Sequence, residues 1–538
     1  METNEKEEVV KNNVEVTKQQ NNTKKTKKNK LVACCVLILA AIVLMCGLFL
    51  LKNDNSETFQ NEAKEYYSEY KLSGNSLEKF DLSFLKLENN NKNKIYSPLS
   101  IKYALQMLAE GASGDTKAQL NSIIGDYASR KYANSQYMSF ANAMFIRDTY
   151  KNNVNSTYLD KLKTKYNAEV IYDSFKNANT MNSWVLNKTF NLIKDLIDNN
   201  IVKQQDLILT NVLAINMDWK NMIQPACNGQ SSFDDYSVKY AHEDFSQYIG
   251  MIMDEEYSTV KFNNNSMNAK AVEIGAAINN YDIVNVLGEE NIRKTVGVEY
   301  EKWLATLSEG EIEGLDIEKN VDVYLDGYIK ELNSNYKRVD SSTDFSLYVD
   351  DEVKVFAKDL KEYDGVTLQY VGIMPKKEKL DSYIENVSAE KLNTIISNLK
   401  EIKSDNFKEG VVTKVTGYIP LFKFDYQLDL ISDLKQLGIT DVFDVNKSNL
   451  SGISSKEKLI IDSASHKANI EFSNEGIKAA AATQFAGFGS AGFGFEYLYD
   501  VPVEEINLTF DNPYMFLIRD KATGEVWFTG TVYEPIKN

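Results

Sequence analysis

From Leu31 to Leu51 the chain runs for 21 residues without a charge (LVACCVLILAAIVLMCGLFLL), and this run divides everything before it from everything after. A helix of that length spans the hydrocarbon core of a bilayer, which needs about 20 residues. Lys24, Lys25, Lys27, Lys28 and Lys30 stand just before it, while Asn53, Asp54 and Glu57 follow. The lysine-rich flank predicts a cytoplasmic tail (1–30), a single-pass anchor in the cell membrane (31–51) and an extracytoplasmic body. A cleaved signal peptide is one alternative, although its apolar region usually covers about 7–15 residues and ends on small residues. A lipoprotein signal ending at Cys46 is another, and there Met45 stands where a small residue is expected. Length and flanks favour the uncleaved anchor. Residues 52–74 (KNDNSETFQNEAKEYYSEYKLSG) are polar and read as a linker.

The body is acidic and poor in reactive side chains. The first 30 residues carry eight Lys against five Glu, so the remainder is three charges more acidic than the −17 of the whole chain. Such a surface repels phosphates and argues against a nucleic-acid partner. Cys34, Cys35 and Cys46 lie in the apolar run, which leaves Cys227 alone and no intramolecular disulfide in the folded part. His242 and His466 are the two histidines, so a Ser-His-Asp, Cys-His or histidine-metal site would have to use one of them. His242 sits in a polar run and reads as exposed. No cofactor or metal is implied. Hydrophobic content of 43% and charged content of 25% are those of a globular protein. The abundance of Asn and Lys hints at an AT-rich bacterial genome.

From about residue 75 the apolar pattern alternates between helical and strand spacing. Leu77, Phe80, Phe84 and Leu87 recur as one helical face. Ser97-Pro98 starts a helix whose apolar face is Ile101, Leu105 and Leu108. A further helix is expected over Thr116–Ile124, and residues 207–217 (LILTNVLAINM) read as a buried strand. Tyr514–Arg519 and Val526–Val532 flank Lys521-Ala522-Thr523-Gly524 as strand, turn and strand. This predicts an α+β body with large sheets.

At this point a family resemblance emerges. Asn93-Lys94-Ile95-Tyr96-Ser97-Pro98-Leu99-Ser100-Ile101 resembles the opening signature of the serpins, and Ala141-Asn142-Ala143-Met144-Phe145 their next strand. Tyr166–Val170, Asn182-Ser183-Trp184-Val185, Asn211 with Trp219-Lys220, and Leu437–Phe443 follow in the family's order. Ser451–Ser454, His466–Glu471, Asn474-Glu475-Gly476 and Phe510–Asp520 complete a collinear series over nearly the whole body. Ile215 and Met217 depart from the pattern, and residues 254–341 form an extra stretch read as a surface insertion within one domain (75–538). The resemblance implies the serpin fold, about nine helices around three β-sheets with an exposed reactive-centre loop. It further implies a shutter and breach drawn from Ser97, Ser100, Asn211, Trp219 and His466, with His466 as the shutter histidine, Ser97 and Ser100 as its hydroxyl partners and Trp219 as the breach tryptophan.

The chemistry implied is that of a trap. In this family a protease cleaves the exposed loop, is held as an acyl-enzyme, and the loop's N-terminal side enters the main sheet as a new strand, a known case of strand addition. Asn474, Glu475, Gly476, Ile477, Lys478, Ala479, Ala480, Ala481, Ala482 and Thr483 would form the hinge. Taken by itself the alanine run suggests a helix. In a strand, side chains alternate between faces, so if Ile477 faces inward, Ala479, Ala481 and Thr483 do too. Lys478 then faces out and avoids burying a charge. That pattern favours a suicide inhibitor of elastase-, subtilisin- or chymotrypsin-like serine proteases, a stoichiometric monomeric trap and not a turnover enzyme. A surface binding protein of the same fold and an inhibitor of cysteine proteases are the rival readings.

Family spacing from Asn474 puts the cleaved bond at Ser490-Ala491, whereas counting back from Phe510 puts it near Pro502-Val503. Phe488, Phe493, Phe495, Leu498 and Tyr499 lie in the lengthened loop between. Gly487-Phe488-Gly489-Ser490-Ala491-Gly492 matches the dinucleotide pattern by letter, but no helix-forming run follows it and it falls inside the loop. Ser490 is not in a nucleophile elbow, because Phe488 occupies the position that must be glycine.

Overall fold

The structure, a computed structural model, describes residues 77–124, 132–223, 257–314, 317–334, 337–341, 343–456, 458–477 and 502–538. The apolar run 31–51, Cys227, His242, the hinge residues after Ile477 and the bond Ser490-Ala491 lie outside the described residues. Among the described residues no helix is long and apolar enough to cross a membrane.

Three β-layers organise the body. The largest has seven strands: β1 (Lys94–Tyr96), β9 (Ser346–Val349), β10 (Val353–Asp359), β11 (Leu368–Pro375), β12 (Lys400–Glu401), β18 (Tyr514–Asp520) and β19 (Val526–Val532), in the order β1-β19-β18-β11-β10-β9-β12. Its central strands are near-continuous apolar runs, and β11 and β19 are buried at every position, as strands covered on both faces must be. The hairpin β18–β19 turns at Gly524, whose φ of 78° suits a residue without a side chain.

A second layer runs β17 (Val503–Asn507), β13 (Val411–Pro420), β7 (Met267–Asn280), β6 (Ser258–Phe262), with β8 (Lys337–Ser341) added to the far end of β7. The third is a sheet in two halves. One half is β3 (Glu169–Asp173), β2 (Met138–Arg147) and β4 (Leu207–Ile215). The other is β14 (Phe422–Asp429), β15 (Ser465–Phe472), β16 (Gly476–Ile477) and β5 (Met217–Asp218). Only Asn216 separates β4 from β5, so the halves share one long strand.

The helices of the body are α1 (Lys79–Leu87), α2 (Pro98–Ala109), α3 (Gly114–Ile124), α4 (Ser156–Tyr166), α5 (Asn179–Lys188) and α6 (Asn199–Gln204), with α11 (Leu380–Asn386), α12 (Ala389–Ser397) and α13 (Leu430–Gln436) later in the chain. Between β7 and β8 come α7 (Ile283–Leu287), α8 (Glu289–Leu304), α9 (Glu309–Gly314) and α10 (Val321–Ser334). Of these, α7, α8 and α10 pack a small core of their own that includes Val284, Ile292, Val296, Leu325 and Ile329, and Tyr300 stacks on Tyr324 at 3.6 Å. The helix α2 begins where Ser97-Pro98 predicts: the Ser97 hydroxyl accepts from the Ser100 N–H at 3.0 Å, and Pro98 needs no donor of its own at the first turn.

Candidate functional site

In the divided sheet, β4 and β15 run side by side, and among the described residues no strand lies between them except at the top. There β16 pairs with β15 on one side (Phe472↔Ile477) and with β5 on the other (Gly476↔Asp218, Ile477↔Met217). Below Ile477 a narrow cleft opens between Leu213–Ile215 of β4 and Asn469–Glu471 of β15. Further down it widens into a cavity of about 760 Å³ over the face of α2. Neither β4 nor β15 has a paired neighbour on this side among the described residues. The site is therefore a strand-shaped slot whose first two residues are already in place.

The upper end is strapped shut. Trp219 is 2% exposed, and its Nε1–H donates to the Ser473 carbonyl at 2.9 Å. Its backbone N–H donates to the Glu475 carbonyl, and the Ile223 N–H to the Asn474 carbonyl, both at 2.9 Å. The indole meets Phe472 and Tyr370 edge-on, at 5.4 and 6.1 Å between ring centroids. Lys358 lies beneath, its side chain fully buried and its Nζ 2.6 Å from Asp344 Oδ1. Burial pulls the Lys358 ammonium below its usual range, and Asp344 partly restores it. Gly476 must be glycine for a local reason: a Cβ there would stand 2.4 Å from the Met217 carbonyl oxygen. Any side chain would push the hinge off β5.

The middle of the slot is held by a polar chain. Asn211 on β4 receives the Ser100 hydroxyl and donates through Nδ2 to Asn142 Oδ1 at 2.6 Å, linking α2, β4 and β2. Asn142 in turn donates to the Tyr166 carbonyl. On the opposite edge, His466 Nε2 accepts the Ser97 N–H at 3.0 Å, which requires a neutral ring. Burial pushes the His466 imidazole down to about 4. Ser97, Ser100, Asn211 and His466 thus meet across the open sheet, and Trp219 lies above them at the strap. Asn142 and Ser473 were not anticipated as site residues. A polar Asn inside the apolar run Ala141–Phe145 was the available signal for the first, while nothing local marks Ser473.

The histidine gives a pH prediction. The unfolded chain takes a proton near pH 6.5 and the folded one near 4, so its contribution is complete above 6.5 and is lost as pH falls toward 4. The full swing is about 3 kcal/mol. Asp433 acts in the opposite sense. Burial first, then Glu88 and Asp429, raises its carboxyl to about 6, so the stability it adds at low pH is lost as pH rises through that value. Guanidinium midpoints for wild type and His466→Gln between pH 7.5 and 4.5 separate the two. The wild type is expected to lose stability on the acid side relative to the variant, and parallel curves would refute the assignment.

The chain matches the family model described as Serpin (serine protease inhibitor) over residues 78–294 and 339–535. It is 25% identical to human neuroserpin over 475 residues, 84% of this chain and 88% of that protein. It is 23% identical to human leukocyte elastase inhibitor over 488 residues, 86% of this chain and 99% of that one. Superposition on human thyroxine-binding globulin complexed with thyroxine gives a TM-score of 0.54 at 17% identity, covering 85% and 98% of the two chains, a likeness of fold. The chain belongs to the serpin family, and its fold is the serpin fold. The break in the family match, between 294 and 339, runs from within α8 through α10 to the start of β8.

Proposed function

We propose that the chain is a suicide-substrate inhibitor of serine proteases, which cleave its loop at Ser490-Ala491 and are trapped when the freed segment fills the slot between β4 and β15. The observation that carries this reading is Ile477, 3% exposed and seated between the two strand edges, with the open slot continuing below it. On β15, Phe472, Ile470 and Ala468 are buried and the residues between them are not, so the inward phase at Ile477 is the phase of the core. Continued downward, that phase turns Ala479, Ala481 and Thr483 inward and Lys478 outward. The slot then receives small side chains, and the inserting segment 478–483 carries its one charge, Lys478, on the solvent side.

Slot length supports the earlier of the two candidate bonds. Counting from Met217↔Ile477, the first residue of β4, Leu207, would stand level with position 487 of an inserted loop, so Ser490 would leave the sheet at its far end. A bond at Pro502-Val503 is disfavoured, because the Pro502 carbonyl already accepts the Val412 N–H at 2.9 Å and Val503 opens β17. The small side chains of Ser490 and Ala491 suit an elastase- or subtilisin-like enzyme with a shallow specificity pocket. Leukocyte elastase inhibitor, by its name, acts on such an enzyme. The anchor at 31–51 rests on its length and basic flank, and would hold this trap at the outer face of a cell membrane.

The test is incubation of the full chain, in detergent, with elastase-, subtilisin- and chymotrypsin-like proteases, read on denaturing gels. The expected product is an adduct that survives denaturation, together with a released peptide beginning at Ala491. Clean loop cleavage with fully active enzyme across the panel would rule out inhibition of these classes and favour the binding-protein or cysteine-protease reading.

A further inference from the structure

The lower half of the slot is wider than a strand of alanines needs. Below His466 it becomes the cavity of about 760 Å³, floored by Ala104, Leu105 and Leu108 of α2 and closed on one side by Leu430 and Leu434 of α13. The segment that follows Ile477 would enter the slot from its top. Ile477 ends at the top of the slot, and 24 residues, 478–501, lie between it and Pro502. The register is fixed on both sides by Ile477↔Met217 and Phe472↔Ile477, and β4 and β15 hold regular pairing with their outer neighbours down to Leu207 and Ser465. One step forward on the loop for each step back on the two strands brings Thr483 level with Asn211 and His466. Two steps further, an inserted loop would bring Phe485 level with Leu209 and Ala464, both of which line the cavity.

The facing agrees with the position. Asn211 and His466 point inward, toward Ser100 and Ser97, so positions in phase with them do too. Ala479 and Ala481 share that phase but fall where Ile215, Leu213, Ile470 and Ala468 close in. Phe485 is the first large in-phase residue after Ile477, and it falls where the slot is wide. Resting on the loop-insertion reading, the geometry points to this cavity as the receptor for the Phe485 ring, which locks the lower half of the inserted strand. An aromatic ring brings the largest apolar area of any side chain to such a pocket.

The experiment compares the full chain with Phe485→Ala and Phe485→Leu, intact and after cleavage of the loop beyond residue 487, by guanidinium unfolding and size exclusion. Intact forms should unfold together. Cleavage should raise the midpoint of all three, with cleaved Phe485→Ala falling short of cleaved wild type by about 0.5 M and Phe485→Leu by less. A cleaved Phe485→Ala that matches cleaved wild type, while both rise on cleavage, overturns the assignment and leaves insertion standing. No rise in wild type overturns insertion and this assignment together. A dimer or larger species formed only on cleavage would place a second copy's segment in the cavity and also overturn it.

Discussion

If the chain traps proteases as proposed, replacing Ala481 by arginine is expected to leave only a substrate, with adduct yield falling at least about 100-fold while the loop is still cut. In the register above, position 481 stands level with Leu213 and Ala468, which are 5% and 2% exposed. A guanidinium there would be buried without a partner, at a cost of several kcal/mol, enough to make insertion slower than release of the enzyme. The neighbours supply the control. Ala480→Arg and Ala482→Arg place the same charge on the solvent face and should retain trapping. Adduct yield for the three variants on one gel decides the phase. If the 480 and 482 variants fail and the 481 variant traps, the inward phase set by Ile477 is wrong by one residue.

The second large effect is expected at Trp219. Its side chain is almost fully enclosed, packs edge-on against Phe472 and Tyr370, and donates to the carbonyl of Ser473. Truncation to alanine removes a large buried ring and leaves that acceptor facing a void. The expected loss is about 3–5 kcal/mol, in the range for aromatic deletions from cores. Trp219→Phe keeps the ring and gives up the hydrogen bond, at about 1 kcal/mol. Denaturant midpoints measure both. A Trp219→Ala protein within about 1 kcal/mol of wild type would mean that the strap over residues 473–475 is held by its two backbone bonds.

Much of the fold could be read from the chain because its signals are local. Ser97-Pro98 marks the start of α2, the apolar run at 207–217 is β4 and β5, and the turn at 521–524 joins β18 to β19. The ordered motifs led to the family that the profile match then showed. What could not be read is non-local. No local pattern reveals that β4 and β15 lack each other as neighbours, since an unpaired strand edge has the same composition as a paired one. The polar chain from Ser100 through Asn211 to Asn142 joins residues up to 111 positions apart, and only the folded arrangement brings them to one place. The extra segment read between 254 and 341 includes β6 and β7, which pair inside the second sheet, and the helices α7 to α10 occupy its later part. Alternating apolar residues at 258–262 and 269–278 carry the strand signal there.

The most direct test of the slot is amide hydrogen exchange on the full chain before and after a protease has cut its loop. In the intact protein the slot-facing amides of Leu207–Ile215 and Ser465–Phe472 are expected to exchange faster than those bonded to β2 and β14. After cleavage they should become protected together, as a new strand takes up both edges. Exchange in these two segments that is unchanged by cleavage would contradict the central claim that this sheet is built to receive the chain's own loop.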